Sequence, residues 1–143
     1  MSVITPERRL TAHQLVELLT GVRLLALATT TADGRPIVGP VDGILHRGSF
    51  WFGSAPDSLR IRHIRARPHV SASHIDGEQL AVTVHGVAHV HDLRTPELRP
   101  FRERLDATYR DRYGADWIDW AETMPYCRIE ASRMLTFWMP AQA

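Results

Sequence analysis

The sequence has no lysine; all seventeen of its basic residues are arginine. Any anion site in it must therefore use guanidinium, whose planar fork matches carboxylate and phosphate oxygens in pairs. It has one cysteine, Cys127, which excludes an intramolecular disulfide and fits a reducing compartment. Plain burial is the role expected of that thiol. An excess of charge of one sign is missing too: a formal net charge of +1 gives no global field toward nucleic acid or anionic lipid. No apolar run approaches the ~20 residues that cross a bilayer, and the opening MSVITPERRL lacks the apolar centre of a signal peptide. A soluble cytoplasmic protein without membrane or nucleic-acid partners is expected. Also absent are a Gly-x-Ser-x-Gly elbow, a P-loop, an HExxH pattern, internal repeats and any linker rich in Pro, Gly or Ser. No nucleophile with an activating partner is evident, and catalytic residues stay unassigned. Residues 1–143 are expected to form one domain, large enough for its own core.

What is present alternates between short strands and a few helices. Thr11-Ala12-His13-Gln14 has the capping-box pattern, and Leu15, Leu18 and Leu19 follow at helical spacing, which predicts a helix over 11–20. RLLALATTT (23–31) reads as a buried strand, and the Asp33-Gly34 turn returns PIVGPVDGILH as the second arm of a hairpin. SFWFG is a third strand. The segment 57–67 is helical, 69–75 and 79–92 are strands, and Thr95-Pro96-Glu97 opens an amphipathic helix to about Tyr113. A short helical piece near Trp117–Glu122 and a last strand over 127–139 close the chain. The connections are too short for parallel crossovers, so a mainly β, six-stranded antiparallel barrel with helices at its ends is expected.

Two features do not fit a plain barrel. Gly39 and Pro40 stand in the middle of the second strand, where proline is tolerated only at an edge or a bulge and glycine often marks close approach by a ligand or another backbone. The stretch GSAPDSLRIRHIRARPHV then gathers Arg60, Arg62, Arg65 and Arg67 beside a strand-to-helix turn. A helix N-terminus there, with Ser54 or Asp57 as cap, Ser58 adding a hydroxyl and Arg60 one turn in, has the parts of a phosphate pocket. A solvated helix face is the competing reading. A nucleic-acid patch is a weaker third, because no aromatic residue interleaves the arginines. On the strand 79–92, His85, His89 and His91 share a face opposite the apolar one. His85 and His89 lie roughly 13 Å apart along an extended chain, too far for one metal. No Cys or carboxylate cluster completes a site with His89 and His91, so a polar interface face is expected and no metal.

LATTTADGRPIVGPV, the strand ending FWFGS, and SLRIRHIRARPHVSAS together resemble the pyridoxamine 5'-phosphate oxidase-like, FMN-binding split-barrel superfamily, most closely its small actinobacterial flavin and deazaflavin oxidoreductases. Ser58, Arg62, Ile64, Arg65, Pro68 and Val70 fit the family pattern S-x-K-x-R-N-L-R-R-D-P-R-V, and the resemblance covers about residues 10–92 well and the rest loosely. It implies a homodimeric split barrel with flavins in clefts at the interface. Carried over, Arg60 takes the place of the phosphate-binding lysine, with Ser58 beside it, and Gly53 and Ser54 end the supporting strand. Val38, Gly39, Pro40 and Val41 would line the isoalloxazine, and Trp138 or Trp120 would cover cofactor or substrate from the partner subunit. The chain departs from the pattern where Arg60 replaces lysine, His63 asparagine and Arg67 aspartate. It is also shorter than true pyridoxamine-phosphate oxidases, and oxidation of that vitamer is not expected. The function implied is FMN-dependent oxidation or reduction of a small organic substrate. A deazaflavin reductase, a non-catalytic flavin- or haem-binding carrier or sensor, and an interaction domain with an empty pocket are the alternatives.

Overall fold

The structure, a computed structural model, describes residues 9–139. The ends of the expected 1–143 domain and most of the stretch MSVITPERRL lie outside the described residues. Six strands close into one antiparallel barrel: β1 (Val22–Thr30), β2 (Pro36–His46), β3 (Ser49–Gly53), β4 (His69–Asp76), β5 (Leu80–Asp92) and β6 (Pro125–Trp138), in the order β1-β2-β3-β6-β5-β4 and back to β1. The expected barrel is thus present, with strand ends within a residue or two of those read from the sequence. Gly34, at φ 84°, supplies the left-handed turn between β1 and β2, and their register runs from Val22↔Ile44 to Thr30↔Pro36.

Inside the barrel, alternate residues meet: Leu25 and Leu27, Phe50 and Phe52, Val82 and Val84, Ile129. Two helices close this core. α1 (Ala12–Leu18) starts with the expected capping box between Thr11 and Gln14 and contributes Leu15 and Leu19. α2 (Leu59–Ala66) buries Ile61 and Ile64. Full burial of such a side chain is worth roughly 1.5–3 kcal/mol, so those two isoleucines fix the helix that carries Arg60. In β6 a register shift opposite His85 and Gly86 skips Ser132. The extra residue reverses which face the strand's side chains take. Cys127 and Ile129 point inward before it, and Met134 and Trp138 pack against the same core after it.

A second core lies outside the barrel. Ile44, Trp51 and Tyr126 on the outer face of β2, β3 and β6 meet Phe101, Leu105 and Tyr109 of α3 (Arg99–Tyr113) and Ile118 of α4 (Trp117–Ala121). These helices therefore cover the side of the barrel, not the end where the sequence reading places them. α3 starts later than the sequence suggests. Thr95-Pro96-Glu97 forms a separate 3-10 turn over Pro96–Leu98, and the helix proper begins at Arg99 with Pro100 in its first turn, where a missing N–H costs nothing.

β3 pairs with β2 only from Gly43 to His46, while β1 pairs with it from Pro36 to Ile44. The first half of β2 therefore has one open edge. Pro40 lies on it, opposite Ala26 of β1, and its carbonyl is turned toward Arg60 rather than into the ladder. Since N and C=O of one strand residue point to the same edge, the proline removes no ladder hydrogen bond. This is the edge position that its presence in the sequence required.

Candidate functional site

Three elements converge at the open edge of β2. β3 ends at Gly53, and residues 54–57 turn the chain into α2. Ser58 is the cap of that helix: its Oγ accepts from the Ile61 N–H at 3.1 Å. Neither of the caps expected from the sequence, Ser54 or Asp57, takes that place; Asp57 is exposed and outside the helix. Ser54 is buried, its hydroxyl lies 3.0 Å from that of Ser58, and its N–H donates to the Pro125 carbonyl at 3.3 Å. Two hydroxyls are thus fixed at one helix N-terminus, whose first turn carries no acidic residue.

Arg60 folds back from α2 over β2, and Nη2 donates to the Pro40 carbonyl at 3.1 Å. A Cβ on Gly39 would lie 3.2 Å from that nitrogen, so glycine lets the guanidinium cross the strand closely. Burial holds the Arg60 pKa below its ordinary value, with the nearby Cys127 acting weakly the other way. None of the ion pairs among the described residues includes Arg60. A half-buried cation with no anionic partner is costly to hold; an anion bound at the serine pair would offset that cost.

The other arginines of the cluster do not join it. Arg67 donates from Nε to the Thr30 carbonyl at 2.8 Å, and Arg62 is exposed. Arg65 lines a separate cavity of ≈ 370 Å³ with His91, Asp92 and Arg94. His63 is buried against Thr29 at 2.8 Å. The run of positive charge thus fans out in several directions and forms no continuous stripe.

Val38 through Val41 do not present one surface. Val41 packs against the barrel core, whereas Val38 is 67% exposed on the outer face. A flat ligand along this strand would meet mainly its open backbone edge at Gly39 and Pro40. Trp138 pairs with Leu80 at the far end of β6 and packs against the barrel core, so within one chain it stands apart from Arg60. Two histidines of β5 have separate partners, His85 with Ser71 at 2.7 Å and His89 with Glu130 at 2.7 Å, while His91 lies against the Trp51 ring at 5.3 Å with its buried Nε2 unpaired. Among the described residues no group of three or more His, Cys, Asp or Glu converges as a metal site. Cys127 is fully buried, and burial pushes its thiol up to about 12 despite Arg65 and Arg60 nearby.

Gly53 and Val41 also border an open pocket of ≈ 420 Å³ between the barrel and α3–α4, with Asp42, Tyr109, Trp117, Trp120 and Tyr126 in its wall. The Tyr126 ring covers Gly53 so closely that a Cβ there would be 2.8 Å from it. Sequence reasoning assigned Gly53, Val41 and Trp120 to a site but missed Asp42, Tyr109 and Tyr126. Only Tyr109 had a signal, the spacing of Tyr109, Tyr113, Trp117 and Trp120 as one helical face carried across a break.

With this geometry in view, the comparison with known families is decisive. The model of the pyridoxamine 5'-phosphate oxidase family matches residues 11–133. The chain belongs to that family. Solved structures with the same fold include Rv2991 from Mycobacterium tuberculosis, a conserved hypothetical protein (TM-score 0.78, 18% identity, covering 99% of this chain and 96% of that one). Others are HutZ, the heme storage protein from Vibrio cholerae (TM-score 0.69, 17% identity, 88% and 94% covered), and an F420 reductase (TM-score 0.61, 19% identity, 84% and 94% covered). At such identities the likeness is one of fold. No functionally curated protein matches the sequence. In this member of the pyridoxamine 5'-phosphate oxidase family, Val41 of β2 and Gly53 at the end of β3 also line the aromatic pocket.

Proposed function

We propose that the protein is a flavin-dependent oxidoreductase that binds FMN at the β3–α2 corner and acts on a small organic substrate as a homodimer. One observation carries this reading: the half-buried guanidinium of Arg60, with no carboxylate partner, belongs to the first turn of the same helix whose N-terminus holds the Ser54–Ser58 hydroxyl pair. These groups fit a phosphate dianion. Arg60 contributes charge and a planar fork, the helix contributes unpaired N–H groups, and the serines contribute hydroxyls. The Ser58 oxygen already accepts from Ile61, so its proton is the part left for Ser54 or a ligand.

The flavin, when bound, supplies the hydride or electron transfer. The chain's own residues bind and orient. Arg60 and the serines hold the phosphoryl end, and the open backbone edge at Gly39 and Pro40 lets a flat ring approach without side chains in the way. Tyr126 over Gly53 excludes water from the corner. The outer face of the adjoining strands β4, β1 and β2 supports the dimer, since Ile75, Leu24 and Val38 are 62%, 58% and 67% exposed there. Such a row of apolar side chains suits burial against a second copy.

A deazaflavin in place of FMN is the second reading, favoured by the fold shared with an F420 reductase. It needs the same phosphate corner. A haem carrier, for which HutZ is the structural neighbour, has less support because His85 and His89 already have partners. The absorbance spectrum of the purified protein separates these readings. FMN gives bands near ~370 and ~450 nm, a deazaflavin one near ~420 nm and haem a Soret band. A protein that stays colourless and takes up none of the three would overturn all of them.

A further inference from the structure

The pocket between the barrel and α3–α4 has an unusual charge for this chain. With seventeen arginines in the sequence, none lines it, and the one acidic side chain in its wall is Asp42. Around Asp42 stand five aromatic rings, those of Tyr109, Tyr113, Trp117, Trp120 and Tyr126. Tyr109 and Trp117 stack at 4.2 Å, Tyr113 lies 5.7 Å from Tyr109 at 18°, and Trp120 is tilted by 53° at 6.2 Å from Trp117. None of the ion pairs among the described residues includes Asp42. Its charge reaches both Tyr109 and Tyr126, where it adds to burial in holding their hydroxyls above the ordinary range, so both remain neutral donors. Trp120 and Tyr113 are 56% and 53% exposed at the rim, leaving ring surface free for a ligand.

We propose that this pocket binds an organic cation, a protonated or quaternary nitrogen on a small apolar or aromatic body. Aromatic faces attract cations through their quadrupole, most strongly where water is excluded. A carboxylate without a protein partner adds a direct counter-charge. The same two features repel an organic anion, so the pocket is selective by charge as well as by shape. Its volume of ≈ 420 Å³ lies within the range of small-molecule sites and suits a ligand of one or two rings. The proposal goes beyond flavin binding and does not depend on it. The phosphate corner and this pocket have opposite charge and different residues, apart from the shared border at Gly53 and Val41.

The test uses the full chain without added flavin and follows the indole N–H resonances of Trp117 and Trp120 by NMR. The probes are benzyltrimethylammonium, neutral benzyl alcohol and anionic benzoate. Saturable shifts at both indoles are expected with the cation, with about tenfold weaker binding of the other two. Asp42→Asn is expected to lose most of that preference while keeping the native spectrum elsewhere. Equal affinity for the three probes, an unchanged preference in the Asp42→Asn variant, or no saturable shift at either indole would each overturn the proposal. Stoichiometric displacement of the cation by FMN would overturn it too, because the pocket would then hold the flavin ring. Failure of FMN to bind at all leaves these results intact and counts only against the flavin reading.

Discussion

A Cβ on Gly86 would stand 2.0 Å from the Glu130 carbonyl oxygen across the β5–β6 ladder. Backbone cannot yield there as a flexible side chain can, so Gly86→Ala is expected to cost at least about 1–3 kcal/mol, the range for overpacking, read as a lower urea midpoint. Gly39→Ala meets only the far end of Arg60, and its expected effect is on phosphate affinity with little change in stability. Cys127 gives a third expectation at this scale. With the thiol fully buried and its pKa pushed up to about 12, it should resist thiol reagents at pH 8 until the protein unfolds. Rapid labelling of the native protein would contradict that burial. The Gly-Pro pair was legible as an anomaly because each residue breaks a rule of strands. So was Arg60, through its place after a turn. Asp42 and Tyr126 were not legible. Nothing local distinguishes a strand aspartate that faces a pocket from one that faces water, and these two residues are brought together only by the closed barrel.

Among the elements, α2 matters most, because its two buried isoleucines hold Arg60 over β2. Its limits were read to within two residues, but the cap is Ser58 rather than Ser54 or Asp57, which only the position of the Ile61 N–H reveals. The side cover of the barrel was read less well. The amphipathic pattern of α3 shows that one face is buried, not whether it meets a barrel end or a barrel wall. That cover creates a pH dependence. His46 is held below its ordinary pKa by burial first and then by Arg104 and Arg47, and His91 by burial, then Arg128 and His89. For a histidine with a depressed folded-state pKa, the unfolded chain binds the proton more readily. Stability is therefore fully present above the unfolded value of about 6.5 and is lost as pH falls below it toward the lower folded values. Arg104 Nη1 lies 3.3 Å from His46 Nδ1, which suits a neutral ring accepting the bond. Urea midpoints are expected to fall between pH 7.5 and 5, and His46→Gln to flatten the lower part of that profile. A midpoint that rises on acidification would contradict this.

For the whole molecule, composition and the alternation of strands gave a barrel, but not its partner. Leu24 and Ile75 are exposed on neighbouring strands. A double substitution to arginine is expected to convert a dimer to a monomer in sedimentation, with the circular dichroism of the barrel kept. A wild-type monomer at micromolar concentration would contradict the dimeric reading. The central claim is that Arg60 and the serine corner grip a phosphoryl group. It is tested most directly by titrating FMN and riboflavin, which differ only by the phosphate, into wild-type protein and Arg60→Ala. A charge-assisted contact is worth roughly 1.5–3 kcal/mol. The wild type should therefore prefer FMN by about tenfold or more, and Arg60→Ala should lose most of that preference while binding riboflavin as before. Equal affinity for the two ligands in the wild type, or an undiminished FMN preference in Arg60→Ala, would contradict the account.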